Sequence, residues 1–203
     1  MALEDLGSPA QRDRHQRILD ATIALASAGG FEAVQMRAVA ERADVALGTL
    51  YRYFPSKIHL LVSALARELE TARAGLDRTT IPGDTAADRV MHVLGRTTRS
   101  LQRDPHLTEA LTRAFMFADA SVGQEIAVVA RHVSRILTRA MCEPGAGDSR
   151  PGEADAEPSE QDVAIAKVIG DVWLASQVQW VTGRASADDV GRSLDVAVRL
   201  LLR

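Results

Sequence analysis

An all-α fold follows from three features of the sequence. Apolar residues recur at the three- and four-residue spacing of a helix, these runs are bounded by helix caps and glycine stops, and no stretch alternates apolar and polar residues with the two-residue period of a strand. Composition agrees. Hydrophobic residues make up 46% of the 203 but aromatics only 4%, so the core must be built mostly of Ala, Leu, Val and Ile, a mixture that favours helices.

Residues 1–10 read as a flexible arm, with Gly7, Ser8 and Pro9 ahead of the first helix. That helix is expected over 11–28, with Ile18, Leu19, Thr22, Ile23, Leu25 and Ala26 on one face and Gly29-Gly30 as its stop. Arg12, Arg14, His15 and Arg17 at its start are either a solvated first turn or a phosphate contact. The chain is organised around the next stretch, 36–57, reading MRAVAERADVALGTLYRYFPSK. From Met36, Val39, Ala40 and Ala43 mark one face of a short helix, and Ala43-Asp44 breaks it. A second short helix begins near Ala46, turns Leu50 and Phe54 inward, and leaves Gly48, Thr49, Arg52 and Tyr53 facing out. Glycine inside a helix costs about 1 kcal/mol relative to alanine, so Gly48 points to close approach by something outside the chain. Phe54-Pro55 ends this helix, and Ser56 caps the next, with Lys57 in its first turn.

A long helix through Ile58, Leu61, Val62, Leu65 and Leu69 runs to about residue 74 and stops at Gly75. After a loop at 80–84, Asp84 or Thr85 caps a helix to 103 carrying Val90, Met91, Val93, Leu94 and Leu101. Asp104 before Pro105 starts another, with Leu107, Leu111, Ala114, Phe115 and Phe117. Asp119 or Ser121 caps a helix through Ile126, Val129, Val133, Ile136, Leu137 and Met141. Residues 143–159, rich in Pro, Gly and acid, read as a disordered linker. Two helices, 160–181 and 187–202, close the chain, the second opened by Ser186 with Asp189 in a capping-box-like start.

Two short helices joined by a turn, the second carrying few bulky side chains outward, form a helix-turn-helix. The strings GGFEAVQMRAVAERADV and VALGTLYRYFPSK, with a long helix ahead of them, resemble the DNA-binding domain of the tetracycline-repressor (TetR) family. QMRAVAERADVALGTLYRYFPSK, LTEALTRAFMFADA, the segment around Asp171-Val-Trp-Leu and RASADDVGRSLDVAVRLLL are further similar to the sterol-catabolism repressors of that family. The resemblance implies a head over 11–55 and a ligand-binding and dimerisation domain over 56–203, about nine helices in all. By resemblance, Gln35, Arg37, Ala46, Leu47, Gly48, Thr49, Tyr51, Tyr53 and Lys57 approach DNA, with Tyr51, Tyr53 and Lys57 on phosphates and Gln35 and Arg37 anchoring register. Arg52 joins them from the helical pattern. Leu47 stands where many relatives carry a polar residue; it packs either on a thymine methyl or in the domain core.

The last two helices carry more apolar surface than one core-facing stripe needs. Val172, Val198 and Leu201 are therefore expected at a homodimer interface, placing two reading helices in successive major grooves of a palindromic operator. Met91, Leu94, Leu111, Phe115, Met116, Phe117, Trp173 and Trp180 read on periodicity alone as plain core, and Gln177, with Gln179, Arg99 and Arg113, as either a solvated side chain or a polar partner for a ligand's end. The family resemblance makes the core set and Gln177 the expected lining of an effector pocket, and the sterol resemblance implies a sterol-derived CoA thioester as the effector.

Net charge is −3, which argues weakly against nucleic acid, but much of the acid sits in the 143–160 segment. Cys142, alone, excludes an internal disulfide and any multi-cysteine metal site. The five histidines lack metal-ligand spacing, and there is no phosphate-binding glycine loop, HExxH or nucleophile elbow, so neither an enzyme nor a resident cofactor is expected. No apolar run spans a bilayer and no leader segment is visible, so a cytoplasmic protein is expected. Two alternatives stay open: a family member controlling a multidrug efflux pump, and a helical lipid or acyl-CoA carrier with no DNA role.

Overall fold

Local signals set the helix boundaries. In the computed structural model, which describes residues 8–142 and 158–202, Ser8, Ser159 and Ser186 each open a helix with a reciprocal capping box, to Gln11, Asp162 and Asp189. Thr85 does the same with Asp88, and Asp104 accepts the Leu107 N–H at 2.9 Å ahead of Pro105. Between these caps the described residues form α1 (Pro9–Ala33), α2 (Met36–Arg42), α3 (Leu47–Tyr53), α4 (Lys57–Leu76), α5 (Ala86–Gln102), α6 (Pro105–Met116), α7 (Gly123–Cys142), α8 (Glu160–Val181) and α9 (Ala187–Leu201). A single 3-10 turn, Ala120–Val122, precedes α7, and among the described residues there is no strand. Of the expected arm (1–10), residues 1–7 lie outside the described residues, while Ser8 caps α1 and Pro9 and Ala10 are already helical, because the capping box and Pro9 start the helix two residues earlier than expected. Of the expected linker (143–159), residues 143–157 lie outside the described residues and Ser159 caps α8.

The glycine stop of the first helix is present, although a short turn follows it. Gly30 takes φ 68°, ψ −160°, a conformation open essentially to glycine, and a Cβ there would sit 2.8 Å from Oε2 of Glu109. Only after Phe31 and its neighbours does the helix end at Ala33.

The described chain divides into two compact units. One takes residues up to 68 with 103–129; the other takes 69–102 with residues from 130 on, so α4 and α7 each supply residues to both. In the first unit, Ile18, Leu19, Val34, Val39, Leu50, Leu60, Leu61, Ala110, Leu111 and Ala114 are buried, and α6 lies along α1. Glu109 of α6 accepts the Phe31 N–H at 2.9 Å, Arg113 pairs with Glu32 at 3.0 Å, and the Arg113 and Lys57 cations both sit over the Phe31 ring. His59, on α4, lies 3.1 Å from the Ser121 carbonyl through Nε2 and 2.9 Å from Ser56 Oγ through Nδ1. A carbonyl only accepts, so Nε2 donates to Ser121.

In the second unit α9 packs against α8 and α5, burying Val90, Val93, Leu94, Leu137, Ala140, Ala166, Ile169, Val190, Leu194 and Val198. Arg89 is buried and donates to the carbonyls of Ala140 (3.0 Å), Met141 (3.1 Å) and Gly83 (3.4 Å), placing a cation on carbonyls of the last turn of α7.

Two expectations need correction here. Val198, expected at a dimer interface, is fully buried among its own helices, because 190, 194 and 198 form one inward row; Val172 and Leu201 are half-buried. The exposed large apolar side chains of the last helices are instead Val163, Val168, Val196 and Leu200. The nine expected pocket residues are not gathered in one unit either. Leu111, Phe115, Met116 and Phe117 belong to the first, while Met91, Leu94, Trp173, Gln177 and Trp180 belong to the second. Met116 and Phe117 are 53% and 67% exposed, since α6 ends there and turns its last residues outward.

Candidate nucleic-acid interface

The turn between α2 and α3 is a Schellman motif. Val45 N–H bonds the Ala40 carbonyl (3.0 Å) and Asp44 N–H bonds that of Glu41 (3.3 Å), with Asp44 at φ 52° where glycine is usual. Asp tolerates this left-handed conformation better than most side chains. From α1, Arg17 Nη1 donates to the Ala43 carbonyl at 2.6 Å, so a cation closes the end of α2 and ties the turn to the first helix. Neither contact was expected. Asp44 at the break was a readable signal, whereas nothing in the sequence links Arg17 to Ala43.

After the turn, Ala46 caps α3 with its backbone alone, and its carbonyl receives Thr49 (2.8 Å) and Leu50 (3.1 Å). Leu50 and Phe54 face inward as expected. Gln35, Arg37, Ala46, Leu47, Gly48, Tyr51 and Arg52 are exposed, Thr49 and Lys57 half-buried. Leu47, for which core and surface were both open, is on the surface. Around Gly48 a Cβ would meet nothing within 4 Å, so no packing inside the chain requires glycine there. Arg37 pairs with Glu41 across one turn at 3.3 Å, but both are well exposed, and such a pair is worth only about 0.5 kcal/mol. It yields easily to a phosphate.

Tyr53 departs from its expected outward position. It is 6% exposed against 47% for Tyr51, because its spacing of three from Leu50 puts it on the inner face of α3. There it meets His15 edge-on, with ring centroids 6.2 Å apart, and His15 lies 5.1 Å from Phe54. His15 is thus no phosphate contact. It is buried, its Nδ1 has no hydrogen-bond partner, and burial with positive charge nearby, Arg67 included, lowers its pKa to about 4. Lys57 also differs from a free phosphate ligand, since its Nζ rests 3.8 Å from the Phe31 ring centroid and burial lowers its pKa.

In the second unit Leu94 and Trp173 line a cavity of about 10 Å³ with Val93, Thr97, Val133, Ile136 and Leu137. Trp173 Nε1 donates to Thr98 Oγ1 at 3.1 Å, and Gln177 Nε2 reaches the same oxygen at 3.5 Å. Met91 and Trp180 are half-buried and do not line this cavity. Among the described residues no group of three or more His, Cys, Asp or Glu side chains could hold a metal ion.

Residues 18–64 match the family of bacterial regulatory proteins of tetR type, and 83–201 match the tetracyclin repressor-like C-terminal domain. The chain is 55% identical to the HTH-type transcriptional repressor KstR of Mycolicibacterium smegmatis, over 98% of this chain and 91% of that protein. Among solved structures, a TetR transcriptional regulator from Rhodococcus sp. RHA1 superposes with a TM-score of 0.80 at 33% identity, over 95% of this chain and 97% of that one. Thermus thermophilus FadR, solved with lauroyl-CoA, shares the fold at a TM-score of 0.67 and 19% identity, over 93% of each chain. With both of its halves matched and relatives aligned along nearly its whole length, the chain belongs to the TetR family of bacterial regulatory proteins.

Proposed function

We propose that this regulatory protein is a ligand-responsive transcriptional repressor, acting in the cytoplasm rather than as an enzyme, and that it binds a palindromic operator as a homodimer. A hydrophobic effector, a sterol-derived acyl-CoA, releases it from genes of sterol and lipid catabolism. One observation carries the DNA-binding part: α3 presents Leu47, Gly48, Tyr51 and Arg52 outward together, with a glycine that nothing inside the chain demands. Such a face suits a major groove: the glycine lets the backbone approach closely, and the Tyr51 hydroxyl and the Arg52 cation can meet phosphates. Two copies with reading helices about 34 Å apart would meet successive turns of one palindrome.

The sterol assignment rests on the similarity to KstR and on the resemblance of the four quoted stretches, and the acyl-CoA assignment is supported by a fold shared with a protein that holds one. Among the described residues no Asp or Glu is buried, which disfavours a cationic drug as effector and so the efflux-pump reading. No described helix is long and apolar enough to cross a membrane. The effector need only bind the DNA-incompetent form better: about 3 kcal/mol of coupling changes operator affinity roughly 150-fold. The proposed route for the change is α4, whose residues belong to both units.

A genome-wide pull-down of bound DNA tests the whole reading. Recovery of palindromic sites beside sterol and lipid catabolism genes is expected, and recovery of efflux-pump promoters alone would replace the pathway. Recovery of no sites would reinstate a carrier without a DNA role.

A further inference from the structure

The unexplained polar group of the second unit is the Gln177 amide. Gln177 is 4% exposed, and its Oε1 has no hydrogen-bond partner, in a bundle whose other buried side chains are mostly aliphatic. An acceptor left unpaired in an apolar interior costs roughly 1–3 kcal/mol, so it calls for a reason. Trp173 stands one helical turn before it on α8, and both reach the hydroxyl of Thr98 on α5. The same indole is a wall of the cavity between α5, α7 and α8. That cavity holds about 10 Å³, the space of one water. Its lining gives a water little to bond: the hydroxyl of Thr97, the single such group there, is spent on the Val93 carbonyl at 2.9 Å. A water in it would not serve Gln177, which is not among the lining residues.

We propose that Thr98, Trp173 and Gln177 form a polar reading point for a single oxygen, a hydroxyl or a ketone, at the leading end of an otherwise apolar effector that enters between α5, α7 and α8. This rests on the effector reading above and adds the chemical group that is recognised. Trp173 pins the Thr98 oxygen, and the Gln177 amide is left with one end unengaged. As oriented, that end is a carbonyl, which accepts from a hydroxyl; turned over, it is an NH₂, which donates to a ketone. The neighbouring cavity, which shares the Trp173 indole with this group, is walled mostly by Val, Leu and Ile, which take carbon rings and reject charge. A drug-sized ligand needs about 300–1,000 Å³ against about 10 Å³ in this cavity, so the proposal requires α5, α7 and α8 to part to admit the ligand. The highly charged CoA group cannot follow the rings inside.

Three sterol-acid CoA thioesters that differ only at ring carbon 3, carrying a hydroxyl, a ketone or hydrogen, test this against the intact dimer. The readouts are the rise in melting temperature and the concentration that releases operator DNA. The unaltered protein should prefer an oxygenated thioester over the 3-deoxy one by roughly tenfold, the scale of one buried hydrogen bond. In Gln177→Leu and in Thr98→Val, tested side by side in case one fails to fold, that preference should disappear while the 3-deoxy thioester binds at least as well. A preference that survives in either folded variant, or its absence from the unaltered protein when the thioesters do bind, overturns the reading point and leaves the effector proposal standing. Should none of the three raise the melting temperature or release DNA, the effector proposal fails and this inference fails with it.

Discussion

The outward face of α3 and the interior bounded by α5, α7 and α8 are both places where a partner is expected, but they are written into the chain differently. The first is a convex surface from one run of residues, 46–52, and all but half-buried Thr49 and inward-facing Leu50 are exposed. The second is assembled from side chains on three separate helices, and the Trp173–Thr98 bond spans 75 residues of chain. Helical spacing tells which residues turn inward, not which interior they enter. Leu111 and Leu94 have the same apolar signature and lie in different units.

The largest effect should come from a residue of the second unit that no periodicity marks. Arg89→Met strips the donors from three backbone carbonyls and leaves those of Ala140 and Met141 without that partner. At 1–3 kcal/mol for each group left unpaired, the loss should be about 3–4 kcal/mol, read in urea unfolding. A loss below 1 kcal/mol would mean that water replaces the guanidinium and that this interior is less closed than described.

The first unit holds its counterpart in His15. Its pKa is about 4 in the fold and 6.5 in the unfolded chain, so between these values the unfolded state binds more protons. Stability conferred by the neutral ring is complete above pH 6.5 and falls as pH drops towards 4, by about 3 kcal/mol at 1.36 kcal/mol per unit. Unfolding measured across that range should show the loss, and His15→Phe should flatten it. An unchanged slope would put the acid sensitivity elsewhere.

These two residues also show where legibility stopped. Helix boundaries were readable because caps act within three residues: Asp104, Thr85 and Ser186 each open the helix they were expected to open. The break at Asp44 and the stop at Gly29-Gly30 are local as well. By contrast, Arg17 reaches Ala43 over 26 residues and Glu109 reaches Phe31 over 78, and no local rule pairs them. Tyr53 is an intermediate case. Its hydroxyl suggested the surface, but Leu50, Tyr53 and Phe54 stand at i, i+3 and i+4, and that spacing alone would have turned it inward.

Gly48→Leu probes the convex face without disturbing what lies beneath. Open space surrounds the missing Cβ, so replacing glycine in a helix should raise stability by about 0.5–1 kcal/mol. The same side chain would hold the backbone away from a groove, and operator affinity in a gel-shift titration at fixed salt should fall about 100-fold, or roughly 2.7 kcal/mol. Stabilisation with affinity intact would mean that DNA meets some other face.

The two tyrosines of α3 give the smallest effect and the sharpest test of the comparison, because they differ in one property only. Tyr51 is exposed and Tyr53 lies under the helix against His15 and Phe54. A phosphate contact made by one hydroxyl is worth about 1 kcal/mol, so Tyr51→Phe should weaken operator binding about fivefold. Tyr53→Phe keeps the buried ring and should change affinity less than twofold. If the second matters as much as the first, the Tyr53 hydroxyl reaches the duplex from the rim of the buried face. The interface would then extend past α3 towards the start of α1, where His15 already touches that ring.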